Sequence, residues 1–222
     1  MLLLCATPIG NLGDLTPRVR EALASCDAVY CEDTRRTLTL LNHIGVKKQL
    51  VSCYRENERQ RAAEVAARVR SGETIVYVSD AGMPGVSDPG EALIAACIEN
   101  NLPYTVLPGA SAVLTAAIMS GLPAMPFTFF GFFPREKKAQ KPLLEQLKRL
   151  DHLAIFYESP NRVHATLSLL HEALGDLDAA LLRELTKLHE EAAHGTLGAP
   201  GRALGRRPPW GMRALSPSAA PR

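Results

Sequence analysis

Two stretches of this chain combine residue types that can do chemistry. In Ser79-Asp80-Ala81-Gly82-Met83-Pro84-Gly85-Val86-Ser87-Asp88-Pro89-Gly90, carboxylates alternate with glycines and prolines. That composition makes a shaped loop, whose backbone groups can meet a ligand closely. In Glu32-Asp33-Thr34-Arg35-Arg36, two acids are followed by two bases. Loop backbone groups suit a nucleobase, and acidic side chains suit ribose hydroxyls or a cationic group, so together they fit a nucleoside-like ligand. Phosphate chemistry is less well served. The chain has no G-x-x-x-x-G-K-[ST] motif, and no G-x-G-x-x-G follows its first apolar run. The six histidines and five cysteines show no zinc-ligand spacing, and Ser79 and Ser87 lack a nucleophile-elbow sequence.

Both stretches sit where a sheet would place a site. Thr74–Val78 is an unbroken β-branched and aromatic run, as expected of a strand covered on both faces, and it delivers Asp80 to its carboxyl end. After the loop, Asp88, Pro89 and Glu91 predict a helix start with Asp88 as N-cap. Ala28–Cys31 reads as the strand that delivers Glu32 and Asp33. Leu2–Ala6 precedes another loop, Thr7-Pro8-Ile9-Gly10-Asn11, and a helix with Thr16 as N-cap and Pro17 at N1. Leu50–Tyr54 predicts a strand, Asn57 and Gln60 predict a helix cap, and Tyr104–Leu107 predicts a strand that ends in Pro108-Gly109-Ala110-Ser111-Ala112. Strand and helix alternate through the first 120 or so residues, which predicts an α/β fold with a mainly parallel sheet. Ligands bind such sheets outside the carboxyl ends of the strands.

The two prolines in Leu122-Pro123-Ala124-Met125-Pro126 predict a linker, giving a first domain at 1–121 and a second at 122–197. The second begins with Phe127–Phe133, which holds five of the six phenylalanines. The helix predicted over Arg135–Arg149 carries six basic and two acidic residues, a pattern open to a solvated face or to phosphate contact. His152–Tyr157 and Ala179–Leu185 predict further strands, with Ser159 and Pro160 starting the helix between them. From Gly198 to Arg222 there is no acidic residue and Gly, Pro, Ala and Arg dominate, so 198–222 is expected to be irregular.

Composition limits the remaining classes. With 222 residues, 46% hydrophobic and 22% charged, the chain can build one large or two modest soluble domains. A net charge of +2 does not by itself point to a polyanion. No apolar run is long enough to span a bilayer and the first residues lack a signal-peptide pattern, so no membrane association and a cytoplasmic location are expected. The odd number of cysteines, without C-x-x-C, favours buried thiols, and no metal is expected.

Six segments together carry a resemblance: Thr7-Pro8-Ile9-Gly10-Asn11-Leu12; Glu32-Asp33-Thr34-Arg35; Val78–Pro84 with Asp88-Pro89-Gly90; Pro108-Gly109; Phe156-Tyr157-Glu158-Ser159; and Arg183-Glu184-Leu185-Thr186-Lys187. They resemble a family of small-subunit ribosomal RNA methyltransferases in the tetrapyrrole methylase-like class, over residues 2 to about 197. The resemblance implies two α/β domains, the first mainly parallel and the second mixed, with S-adenosyl-L-methionine in a cleft between them. It further implies a homodimer and 2'-O-methylation of a cytidine in 16S rRNA of the small ribosomal subunit. Carried over residue by residue, it assigns the cofactor to Pro8, Asp80, Ala81, Gly82, Met83, Val86, Ser111, Ala112, Tyr157 and Leu185. A ribose hydroxyl needs deprotonation, for which Glu32, Asp33 or Lys187 is the expected base, with Arg35 on a phosphate. Asp33 as a helix cap and Glu32 paired with Arg35 is the competing structural reading. The tail departs from the family, which implies a further helix and a last apolar strand; its composition is that of a shifted reading frame in a GC-rich gene, and an incomplete second domain is expected. A small-molecule methylase of the tetrapyrrole type and a catalytically silent RNA-binding or assembly protein are the alternatives.

Overall fold

The computed structural model describes residues 1–198 and the backbone of 211–216, in two units, Met1–Ser111 and Ala112–Arg222. In the first unit β1 (Leu2–Cys5), β2 (Ala28–Cys31), β3 (Leu50–Ser52), β4 (Ile75–Val78) and β5 (Tyr104–Leu107) form a sheet in the order β3-β2-β4-β1-β5. Every pairing in it is parallel. The run Ile75-Val76-Tyr77-Val78 is wholly buried because both faces are covered. Val76 and Val78 join the cluster beneath α1 (Pro17–Ser25) and α2 (Thr34–His43), with Val19, Leu23, Leu40 and Leu41. Ile75 and Tyr77 point the other way, beneath α3 (Glu58–Arg70) and α4 (Glu91–Glu99), with Val65, Val69, Leu93 and Cys97. All five cysteines are free and buried, and burial pushes the Cys5 and Cys53 thiols up to about 12, which keeps them inert.

The helix starts separate what is locally encoded from what is not. Thr16 caps α1 as expected, its hydroxyl accepting from Val19 N at 3.3 Å with Pro17 behind it. Asn57 does not cap α3; its side chain instead accepts from Tyr54 N at 2.8 Å and donates to Ser52 O at 3.2 Å. At α4 the expected cap, Asp88, is replaced by Gly90 at φ 142°, which has no side chain to offer. Glu58 of α3 supplies the missing acceptor. Its buried Oε1 accepts from Gly90 N and Ala92 N, both at 2.8 Å. The Glu58→Ala substitution is therefore expected to cost about 1–2 kcal/mol, read as a lower urea midpoint, with Glu58→Gln recovering part of it.

The second unit begins ten or so residues earlier than the proline-based boundary, because α5 (Ala112–Met119) belongs to it. It contains β6 (Phe127–Phe132), α6 (Lys137–Leu147), β7 (Leu153–Glu158), α7 (Val163–Leu174), β8 (Asp178–Arg183), β9 (Glu191–Thr196) and β10 (Gly211–Ser216). The sheet order is β6-β7-β10-β8-β9; β6 runs parallel to β7 and the other pairs are antiparallel, so this sheet is mixed, as expected. The helix α7 starts at Val163 rather than after Ser159.

Two strands differ from expectation. One is β9, a short polar and small-residue strand with no apolar alternation to signal it, formed by pairing with β8. More consequentially, Gly211–Ser216 was expected to be irregular, and it lies in the middle of the sheet, bonded to β7 on one side and β8 on the other. Composition misjudged this segment because its strand state comes from two waiting edges. The rest of the expected irregular tail, 199–210 and 217–222, lies outside the described residues.

Candidate functional site

In the first sheet, β1 and β4 are neighbours whose following helices leave to opposite faces, α1 on one and α4 on the other. This is the geometry that opens a ligand crevice at carboxyl ends of strands. The two loops are tied together beyond the strands: Thr7 N donates to Gly82 O at 2.9 Å and Gly82 N to Thr7 O at 3.0 Å. Gly109 lets the β5 loop approach, because a Cβ there would stand 2.9 Å from the Ala6 Cβ. Gly90 closes the loop after β4, where a Cβ would meet Gly85 N at 3.2 Å. Between these loops and α2 lies a cavity of about 120 Å³, lined by Thr7, Pro8, Leu12, Arg36, Ser79 and Asp80 among others.

The carboxylates at this edge divide by environment. Asp33 is the N-cap of α2, accepting from Arg35 N at 2.9 Å, and the Arg35 fork grips it at 3.1 and 2.8 Å. Arg35 side-chain and backbone hydrogen bonds push its carboxyl down to about 2. The structural reading of Asp33 as a helix cap therefore holds, and the expected Glu32–Arg35 pair does not form, because Arg35 pairs with Asp33 instead. Asp80 ties the two stretches together: its Oδ1 accepts from Asp33 N at 3.0 Å, and its Oδ2 lies 3.4 Å from Arg36 Nε. Glu32 is half-buried. Burial first, and the Asp80 charge second, raise its pKa, while the Asp80 backbone, Arg36 and Arg55 pull it back.

Asp88, freed from capping, joins this group. Burial and then the Glu32 charge push its carboxyl up to about 6, against a weaker opposing pull from the Ser79 hydroxyl and Arg55. Ser79 Oγ itself is buried without a partner in hydrogen-bonding geometry, a donor and acceptor held at the end of β4. Sequence alone gives Asp88 and Arg36 no specific role at this edge, although both stand in the two chemistry-bearing stretches, and nothing local marks Arg55. For Asp88 the available signal was an acid in the loop itself, which local capping rules explained away.

The raised Asp88 pKa links pH to stability. A carboxyl that titrates near 6 in the folded chain and near 3.8 when unfolded adds stability that is fully present below pH about 3.8 and lost as pH rises through about 6. Asp88→Asn is therefore expected to be more stable than the parent at neutral pH, with the difference vanishing towards pH about 4. Urea midpoints across that window measure it; solvent at this half-exposed group shrinks the effect without changing its sign.

The expected site residues fall in both units. Glu32, Asp33, Arg35, Pro8, Asp80, Ala81, Gly82, Met83, Val86 and Ser111 lie in the first. Ala112, Tyr157, Leu185 and Lys187 lie in the second. There, Tyr157 meets Phe129 and Phe132 edge-on, with ring centroids 4.7 and 5.4 Å away. Leu185 is buried in a loop with Glu184 at φ 51° and Thr186 at φ 65°, conformations that cost energy for non-glycine residues. Thr186 Oγ1 is buried and without a hydrogen-bond partner, and Lys187 Nζ lies 3.3 Å from Glu184 Oε1. Strained backbone and an orphaned hydroxyl mark this loop as a second place shaped for a ligand. Among the described residues no cluster of histidine, cysteine or acidic side chains is arranged to hold a metal, and no helix is long and apolar enough to cross a membrane.

Comparison with known proteins agrees with this architecture. The family described as Tetrapyrrole (Corrin/Porphyrin) Methylases matches residues 1–200. A Synechocystis sp. protein named ribosomal RNA small subunit methyltransferase I is 43% identical over 198 residues, covering 89% of this chain and 71% of the relative. Its Thermotoga maritima namesake is 41% identical over 194 residues, 87% of either chain. Among solved structures, the methyltransferase CobJ superposes with a TM-score of 0.72 at 21% identity, covering 100% of this chain and 95% of its own. A uroporphyrin-III C-methyl transferase from Thermus thermophilus, complexed with S-adenyl homocysteine, gives 0.66 at 17% identity over 97% and 96%. At those identities the structures establish the shared fold. Fold and sequence relatives together place the chain in the tetrapyrrole (corrin/porphyrin) methylase family, in its ribosomal RNA small subunit methyltransferase I branch.

Proposed function

We propose that this protein is an S-adenosylmethionine-dependent methyltransferase that modifies the ribose 2'-hydroxyl of a cytidine in 16S rRNA of the small ribosomal subunit. The observation that carries the reading is identity of 41–43% to methyltransferases of that name across nearly nine-tenths of the chain. The first-unit edge fits a nucleoside-like cofactor, since Ser79 offers a buried hydroxyl beside Asp88 and the Asp80 loop offers backbone groups and carboxylates. Pro8, Asp80 to Met83, Val86 and Ser111 would hold the cofactor there, and the family motifs add Ala112, Tyr157 and Leu185. When bound, S-adenosylmethionine supplies an electrophilic methyl group on a sulfonium.

Glu32 would accept the proton that the ribose hydroxyl loses as that oxygen takes up the methyl group. Asp33 is a poor base, because its proton affinity is held down by Arg35 and its oxygens are occupied in capping. A raised pKa makes Glu32 the better acceptor of the two. Arg36, on Asp80, keeps the first turn of α2 against the loop. General-base help supplies roughly 3–5 kcal/mol, and holding the reactants in line about 7–11 kcal/mol, so the loop geometry carries the larger share.

A cytoplasmic homodimer acting on the assembled small subunit belongs to the same proposal. The test is transfer of labelled methyl from S-adenosylmethionine to isolated small subunits, compared with naked 16S rRNA and with tetrapyrroles. Label on a cytidine ribose of the subunit is expected. Label on the tetrapyrrole alone would replace this reading with a small-molecule one, and absence of cofactor binding by calorimetry would remove the enzyme altogether.

A further inference from the structure

The strongest charged surface outside the carboxylate edge is the outward face of α6. Leu143, Leu144 and Leu147 turn inward to the second unit's core. Lys137, Lys138 and Lys141 are exposed and, at 100° per residue, fall within an arc of about 100°, with the exposed Lys148 at the C-cap and Arg149 just beyond the helix. A merely solvated helix face intersperses acids that pair with its bases at three and four residues' distance. Here Glu145 lies inside that arc and serves its C-terminal end, 2.7 Å from Lys148 and also under the Arg149 charge, while among the described residues Lys137, Lys138 and Lys141 form no ion pair with a carboxylate.

The placement also runs against the helix dipole. The first turn of α6 contains Lys137 and Lys138 and no acid, and Glu136 at the N-cap makes no side-chain capping bond. Cations at that end are destabilising, so this arrangement concentrates positive potential at a cost to the helix itself. The corner leading into it is fixed. Arg162 Nη2 donates to Phe133 O at 3.1 Å and Pro134 O at 3.0 Å, and Gln140 Nε2 donates to Pro134 O at 3.0 Å. That corner carries the exposed Arg135.

We propose that this face is an RNA-docking surface: Arg135, Lys137, Lys138 and Lys141 neutralise backbone phosphates. A row of exposed basic residues along one element can track an RNA backbone, because phosphate neutralisation supplies affinity whatever the sequence. The inference rests on the chain's being an RNA methyltransferase.

The test compares the full chain with its K137Q/K138Q/K141Q variant, using 16S rRNA as the probe over a series of potassium chloride concentrations. RNA affinity is expected to fall roughly 10- to 100-fold at low salt, and the slope of log K against log salt to shrink by about 2, near 0.7 per lost phosphate contact. Calorimetric affinity for S-adenosylmethionine should not move, which shows that the variant is folded, and K137R/K138R/K141R should keep the parental slope. If the parent methylates RNA and the glutamine variant keeps its slope, the docking surface is overturned and the enzymatic reading stands. If the parent neither binds nor methylates RNA, both fall.

Discussion

Glu32→Gln is expected to lower the rate of methyl transfer by two to four orders of magnitude while leaving cofactor affinity within a few-fold of the parent. The amide keeps the shape of the side chain and removes its ability to accept a proton. The carboxyl it replaces is half-buried at the end of β2, where desolvation and the neighbouring Asp80 raise its pKa. The acid limb of the parent's pH–rate profile should therefore lie above the ordinary glutamate range and disappear in the variant. Asp33→Ala is the informative control. It removes the α2 cap and the Arg35 ion pair, lowering stability modestly, and should lower the rate far less. Parental turnover by Glu32→Gln would exclude it as the base and leave positioning as the source of the rate.

The largest expected loss of stability lies in the second unit, at Glu158. This carboxylate is 2% exposed at the end of β7. Its Oε1 accepts from Ser159 N at 2.7 Å, its Oε2 accepts from Thr166 Oγ1 at 2.7 Å, and Arg162 Nη1 stands 3.4 Å away. Glu158→Ala strands a buried hydroxyl, a backbone N–H and part of a guanidinium together. Removing one partner of a buried ion pair costs about 3–5 kcal/mol. The lower end applies, because Arg162 remains partly solvated and keeps its bonds to the Phe133 and Pro134 carbonyls. A fall in the urea midpoint followed by circular dichroism measures it, with Glu158→Gln intermediate; an unchanged midpoint would show that the network carries no net stability.

These two acids also show how legible the site was. Both were visible as members of motifs, since each ends a strand and begins a loop. Their roles were not visible, because a motif does not say which carboxylate is desolvated and which is engaged. Glu32 and Asp33 are adjacent in sequence, and yet the tertiary environment raises one pKa and lowers the other. Asp88 is the converse case. Local rules made it a helix cap, and only the arrival of Glu58, 32 residues upstream of Gly90, released it into the carboxylate group.

The sequence by itself determined the alternation of strand and helix in the first unit, the Thr16 cap, the shaped loops at strand ends and the family. Those features depend on periodicity and on contacts within a few residues, which a linear chain displays. The structure decided the strand order that sets β1 beside β4, the Asp80 bond to Asp33 across 47 residues, the cap from Glu58 and the central place of β10. Each of these joins groups far apart in the chain, and its free energy comes from burial, from hydrogen-bonding groups left open on another element, or from the field of charges brought near only by folding.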